Sequence, residues 1–504
     1  MDIQLVYVFK LAQSNPVAVT VVLFLALMLL LGIISTLRPR PYPPGPTGLP
    51  IIGNMMMMDQ LNHRGLAKLA RRYGGLFHLK MGFVHIMVVS SPKEAQLVLQ
   101  AHDNIFSNQP ATIAINYLTY NRADMVFAHY GPFWRKIRKL CVIRLFSRKR
   151  AKSWLSVHYE VDDMVQDLLG RAGSPINIGE LMFKLTKNVT YRAAFGPKFS
   201  KGVDELFAIL QEYSKLFGAF NIADFIPFLT WVDPSGLNDR LVMVRSALDR
   251  FIDPIIDDHM NKKYDIHGHV EEEEEEEDMV DDLLKFYSDE TKINESEDMQ
   301  NSIKLTRDNI KAIIMDVMIG GSETVTWAVE WVMTELLQNP QDMKRVQQEF
   351  VDIVGLTRRV NEMDLDKLPF LRCCMKETLR MHPPIPLLLH ETNEDAIIGG
   401  YYIPKQSQVM INTWAIGRDA NSWPDADTFK PERFLEEGIP DFKGCHFEFI
   451  PFGSGRRSCP GMMLGLHMLE ICMANLLHCF TWELPDEMKP SEVSIDENRA
   501  KIQS

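Results

Sequence analysis

The sequence predicts a mainly α-helical body with small β-sheets behind one N-terminal transmembrane helix. Three observations carry this reading. Residues 17–34 form an apolar run without a charge. From Leu66 onward apolar residues recur at helical spacing. Alternating, strand-like patterns are few and short. A chain of 504 residues, 46% of them hydrophobic, has room for two or three domains, but nothing in its middle marks a break between independent cores. The expected layout is a membrane anchor over 1–37, a Pro-rich connector over 38–48 and one globular domain over 49–504.

The run from Val17 to Ile34 would be about 27 Å long as a helix, close to the thickness of a bilayer's hydrocarbon core. A cleaved signal peptide is the competing reading. The run is long for one, and its flank, Leu37-Arg38-Pro39-Arg40-Pro41, offers no small-x-small cleavage site. Arg38 and Arg40 follow the run whereas only Lys10 precedes it, which puts the body on the cytosolic side, as expected for the endoplasmic reticulum membrane. Pro39, Pro41, Pro43, Pro44 and Pro46 predict a stiff, non-helical spacer. Met55 to Met58 reads as an adaptable apolar contact near the membrane surface. Leu76 to Val89 alternates around Gly82 like a hairpin, and Ala396 to Ile403 carries a Gly399-Gly400 turn. Helical periodicity is clearest over Val161–Leu169, Val203–Phe217, Leu241–His259 and Ile310–Leu337. The acidic run 271–278 repels itself and is expected to be a surface loop.

A formal net charge of -12 excludes a general nucleic-acid binder, which needs positive potential to displace phosphate counterions. Seven irregularly spaced cysteines without a CxxC pair argue against a disulfide framework or a zinc site, and fit a reducing, cytosolic setting. Positive charge is local. Nine basic residues fall between Arg135 and Lys152, with Leu140, Val142, Ile143 and Leu145 among them. A solvated helix face and a docking surface for an acidic partner both fit that run.

The chemistry concentrates near the C-terminus. Phe452-Gly453-Ser454-Gly455-Arg456-Arg457-Ser458-Cys459-Pro460-Gly461 sets one cysteine between a glycine-rich, doubly basic loop and a Pro-Gly step that opens an apolar helix. A helix N-terminus and guanidinium groups both favour an anionic sulfur, so Cys459 is expected to have a lowered pKa and to bind a metal as the thiolate. Gly453, Gly455 and Gly461 would let the chain pass close under a flat macrocycle. A buried structural cysteine is the bland alternative. Further upstream, Gly320-Gly321-Ser322-Glu323-Thr324 interrupts a long helix expected from about Leu305 to Leu337. Two glycines there weaken the helix by roughly 1 kcal/mol each relative to alanine, which implies a close approach to the backbone. The Thr324 hydroxyl is placed to bond the Gly320 carbonyl, leaving a notch for water or dioxygen. Packing or solvent contact is the alternative.

The Phe452–Gly461 run resembles the haem-binding loop of the cytochrome P450 family at each fixed Phe, Gly, Arg, Cys and Gly position. The resemblance implies haem b (iron protoporphyrin IX) held by Cys459, O2-dependent monooxygenation, and electrons from NADPH through a flavoprotein reductase. It assigns Glu323 and Thr324 to proton delivery for oxygen activation. It also places Trp134, Arg138, Arg457 and His390 at positions that contact the haem propionates, with Phe452, Gly453 and Gly461 shaping the loop. Many members carry arginine where His390 stands, so that contact is expected to be pH-sensitive; a turn histidine after Pro386 is the alternative. Glu377-Thr378-Leu379-Arg380 and Pro431-Glu432-Arg433-Phe434 match the family's Glu-x-x-Arg and Pro-x-Arg-Phe elements, a structural ion-pair lock.

Four stretches resemble the plant ferulate (coniferaldehyde) 5-hydroxylases more narrowly: Pro110–Ile115, Phe127–Trp134, Lys215–Asn221 and His382–Thr392. That resemblance implies ring hydroxylation of methoxylated phenylpropanoids on the route to syringyl lignin. A flavonoid or other phenolic hydroxylase of the same fold is the alternative. Gln109, Ser322 and Ile319 depart from the family pattern. So does the polar end Ser494–Ser504, where an apolar C-terminal hairpin is expected, and a catalytically silent form is a third reading.

Overall fold

The computed structural model describes residues 41–146, 155–196, 203–233, 235–265, 278–287, 304–442, 446–485 and 488–489, with Val17, Val19–Val22, Phe24 and Ala26 before them. Those seven N-terminal residues are helical, and Val17, Val21, Val22 and Phe24 are exposed. The rest of the expected span lies outside the described residues. So do the acidic run 271–277, the basic residues 148–152 and the polar end 494–504. Among the described residues, the two helices long and apolar enough to cross a membrane, Arg307–Gln338 and Met462–Cys479, are mostly buried inside the protein.

Helices dominate, as the periodicity predicts. Those that build the site are α1 (Pro132–Arg144), α2 (Ile178–Phe195), α3 (Val203–Phe217), α4 (Leu237–Asp265), α5 (Arg307–Gln338), α6 (Pro369–Met381) and α7 (Met462–Cys479). Helix α5 starts where Thr306 and Asn309 cap each other reciprocally, satisfying donors that a helix start otherwise leaves unpaired. It is apolar around most of its circumference, with Ile310, Ile314, Met318, Val329, Val332 and Leu336 buried, and therefore runs through the core. Helix α2 packs along it and α7 crosses it, with a Cβ at Gly465 reaching ordinary contact with Val325.

The expected hairpin is present as β1 (Leu76–Met81) and β2 (Val84–Val89), turning at Gly82 with φ +58°. Gly82 is required twice over, because a Cβ there would also lie 2.4 Å from the Phe225 carbonyl oxygen. The other strands are β3 (Leu387–Glu391), β4 (Ala396–Ile398), β5 (Tyr401–Ile403) and β6 (Gln408–Asn412). Strand β6 pairs parallel with β2 and antiparallel with β3, giving the order β1-β2-β6-β3, while β4 and β5 form the predicted Gly399-Gly400 hairpin. Strands β3 and β6 escape a local reading because β6 finds its β2 partner more than 300 residues away. The described part of the Pro-rich connector is non-helical, as expected, and it is tied to the sheets. His78 N–H donates to Pro44 O and Tyr402 N–H to Pro41 O, both at 2.9 Å, and the Tyr42 ring stacks on His78.

Behind the site, the ion-pair lock is closed. Glu377 is fully buried and takes both Arg380 Nε and an Arg380 terminal nitrogen at 2.8 Å, Arg433 Nε at 3.0 Å and the Lys430 N–H at 2.9 Å. Arg380 spends its remaining donors on the Gly417 and Ala426 carbonyls. Every charge in the cluster is therefore matched by a charge or a carbonyl, the condition under which a buried ion pair is tolerated.

Candidate active site

The cysteine loop is held from both ends by its own backbone. The Cys459 N–H donates to Phe452 O at 2.8 Å, and Gly453 N–H to Ile450 O at 3.0 Å. Gly453 and Gly455 take φ +68° and +72°. At Gly455 a Cβ would meet the Leu99 carbonyl oxygen at 2.5 Å, so the loop can seat against that segment only with glycine there. The Gly461 backbone N–H and the Arg138 charge both favour an anionic Cys459 sulfur. These two effects act in the expected direction, but burial outweighs them and pushes the Cys459 thiol up from its ordinary value, contrary to the sequence expectation. Cys459 is nonetheless the one exposed cysteine among the described residues. Its sulfur meets accessible space from deep within the fold, a setting in which metal coordination itself removes the thiol proton.

Across from this loop, α5 presents an accessible stripe in an otherwise buried helix. Asp316, Ile319, Gly320, Glu323 and Thr324 are half-buried or exposed, and the spacing of four between Asp316, Gly320 and Thr324 puts them on one face. Thr324 Oγ1 donates to Gly320 O at 2.8 Å, the bond its position predicts. The two glycines serve different ends. A Cβ at Gly321 would strike Thr190 Cγ2 of α2 at 2.7 Å, so Gly321 permits helix packing, whereas Gly320 faces open space. Glu323 Oε1 accepts from Ser214 Oγ of α3 at 3.0 Å.

The four residues expected at the propionates are brought together, though their donors are engaged with the protein. Trp134 is buried, donates Nε1–H to Met125 O at 3.0 Å and lies between two cations, with Arg457 4.3 Å and Arg138 5.5 Å from its ring. Arg138 bonds the Ser458 carbonyl. Arg457 donates to the carbonyls of Ser107 and Ala128 at 2.6 Å and of Val126 at 2.9 Å. Burial and the neighbouring Arg138 lower its pKa to about 9, leaving it charged at neutral pH. His390 corrects the expectation of pH sensitivity. It is buried on β3 with Nδ1 2.8 Å from Phe106 O, and burial pushes it down to about 4, so it is neutral throughout the physiological range.

This donor set fits a flat dianionic macrocycle carrying a thiol-seeking iron. Cys459 supplies an accessible sulfur, Arg138 and Arg457 supply two cations whose burial favours an anionic partner, and α5 supplies a face without side chain at Gly320. Sequence reasoning missed Asp124 and Asp316. Two acids separated by almost two hundred residues carry no local signal until the fold joins them.

Comparison with known proteins agrees with this geometry. The cytochrome P450 family profile matches residues 43–500. The chain is 63% identical over 485 residues to cytochrome P450 84A1 of Arabidopsis thaliana, covering 96% of this chain and 93% of that protein. It is 57% identical to cytochrome P450 84A4 of the same plant, covering 90% and 88%. Desmethyl-deoxy-podophyllotoxin synthase of Sinopodophyllum hexandrum is 38% identical, covering 96% and 94%. Among solved structures, a zebra fish cytochrome P450 with progesterone superposes with a TM-score of 0.69 at 25% identity, covering 82% of this chain and 91% of that one. The chain therefore belongs to the cytochrome P450 monooxygenases, which carry haem b, draw electrons from an NADPH-dependent reductase and use O2 with small organic substrates.

Proposed function

We propose that this cytochrome P450 hydroxylates the aromatic ring of methoxylated phenylpropanoids, namely coniferaldehyde, coniferyl alcohol and ferulate, toward syringyl lignin. The observation that carries the reading is that three of the four stretches resembling ferulate 5-hydroxylases meet one another in the fold. The Phe127 ring of the second meets the Phe217 ring of the third edge-on at 5.3 Å. Asp224, just beyond the third, accepts from the Ile113 N–H of the first at 2.7 Å. The fourth carries His390.

When bound, a thiolate-ligated haem supplies the electron push that favours O–O cleavage. The chain's residues do the rest. The α5 stripe and the segment 110–127 bound a slot for a flat phenolic ring. Thr324 donates its own proton to Gly320 O and offers its oxygen lone pairs to a water or proton on the accessible face, with Glu323 beside it as the acid. Thr324→Ala is expected to leave haem binding intact and to lower product formed per NADPH consumed by about tenfold or more. Parallel NADPH and product measurements check this, and unchanged coupling removes Thr324 from proton delivery. Electrons enter at α1, where Arg135, Lys136, Lys139 and Arg144 are exposed, opposite an acidic reductase face. The run 17–34 anchors the protein in the endoplasmic reticulum membrane, with the catalytic domain in the cytosol.

Turnover with reductase and NADPH, coniferaldehyde against a flavonoid, tests the substrate assignment. Coniferaldehyde is expected to be hydroxylated at the higher kcat/KM. Equal or faster flavonoid turnover overturns the assignment in favour of a flavonoid hydroxylase.

A further inference from the structure

The segment leading into α1 is bound to α5 beside two acids, Asp124 and Asp316. Asp124 is fully buried and accepts the Phe127 N–H at 3.1 Å. Asp316, on the accessible stripe of α5, accepts the Met125 N–H at 2.9 Å and the Val126 N–H at 3.2 Å. The two side chains thus meet on three consecutive amides, 125 to 127, and each acts on the other's ionisation. Burial disfavours charge on both, so two carboxylates this close remain adjacent when one of them keeps a proton.

Met125 and Val126 connect the pair to the candidate haem pocket. Their N–H groups point to Asp316, while their carbonyls accept from Trp134 Nε1 at 3.0 Å and from Arg457 at 2.9 Å. The same segment is stitched to α5 by Asn309, whose amide donates to Ala123 O at 2.8 Å, and to α4 by the Tyr120 hydroxyl, which donates to Asp249 at 2.6 Å. Immediately before it, Tyr120, Asn121 and Arg122 take φ +53°, +59° and +63° in succession. Three consecutive non-glycine residues adopt that region only where surrounding contacts hold them.

We propose that Asp124 and Asp316 form a one-proton clasp, a positioning device that pins residues 123–128 to α5 and, through Met125 and Val126, fixes the Trp134 indole and the Arg457 guanidinium. The charge environment agrees. Burial holds both acids above the usual carboxylate range, and the single charge of Arg457, which lowers Asp124, does not offset it. The other titratable groups facing the pair, Tyr213 of α3 and Cys141 of α1, are themselves pushed up by burial and by the acids, and stay neutral. The sign follows from linkage. An acid raised in the folded state favours the closed clasp at low pH, and the clasp weakens as pH rises through the folded-state pKa and the last shared proton is lost.

Hydrogen exchange of the 123–128 amides in the full-length, haem-loaded protein tests the clasp across pH, with rates referenced to intrinsic exchange. In the unmodified protein, protection is expected at neutral pH and a loss of tenfold or more on the alkaline side. Asp316→Asn keeps an acceptor for the Met125 and Val126 N–H groups and donates its amide to Asp124. It should retain protection and show no alkaline loss, and Asp124→Asn should do the same from the other side. Asp316→Ala should lose protection already at neutral pH. A pH-independent profile in the unmodified protein overturns the proposal. So does an Asn variant that behaves like the Ala variant, or one that keeps the unmodified pH profile. The readout involves no substrate and is independent of the substrate assignment.

Discussion

Glu377→Ala should unfold the protein or strip it of haem. The substitution removes the one acid shared by Arg380 and Arg433, and leaves two buried guanidinium groups with only carbonyls and the Trp423 ring to offset their charge. Breaking a buried pair from one side costs about 3 to 5 kcal/mol. Set against a typical net stability of about 5 to 15 kcal/mol, that is a large share of what holds a domain together. The loss should appear as a fall in thermal midpoint and in haem bound per protein. Exposed pairs give a control. Arg345 and Glu432 pair at 3.2 Å with both side chains about half exposed, and Glu432→Ala should change the midpoint little. A Glu377→Ala protein as stable as the control would mean that the cluster is dispensable.

Cys459→Ala should abolish monooxygenation while leaving the loop folded. The contacts that shape the loop belong to the backbone: Cys459 N–H to Phe452 O, Gly453 N–H to Ile450 O, and the positive φ angles of Gly453 and Gly455. None needs the sulfur. What disappears is the one exposed thiol among the described residues, and with it the thiolate that would favour O–O cleavage on a bound haem. Turnover should fall to background with little change in far-UV circular dichroism. Residual coupled turnover by this variant would place the ligand elsewhere.

The fold was legible where local pattern dictates structure. The span of α5, the Gly82 hairpin and the Gly399-Gly400 turn follow from periodicity and turn chemistry, and each lies where the pattern puts it. The Thr324-to-Gly320 bond follows from a spacing of four on a helix. The missing parts depend on distant partners. Strands β3 and β6 exist because β6 meets β2, and their apolar runs alone do not distinguish strand from buried helix. Electrostatics were the least legible. Spacing shows that Arg456, Arg457 and a helix start lie near Cys459, but it does not show how deeply the thiol is enclosed, and burial reverses the expected direction of its pKa. The same holds for His390, whose neutrality comes from enclosure behind Phe106. The Asp124–Asp316 contact was invisible for a related reason, since it is made by the chain folding a loop back onto α5.

The absorption spectrum of the purified, reduced, carbon-monoxide-bound full-length protein tests the central claim most directly, because the position of the Soret band reports the ligand opposite carbon monoxide. A strongly red-shifted band, lost in Cys459→Ala, is the predicted result and means that Cys459 holds haem iron as the thiolate. An unshifted band, or a protein that takes up no haem, contradicts the account and favours a catalytically silent member of the family.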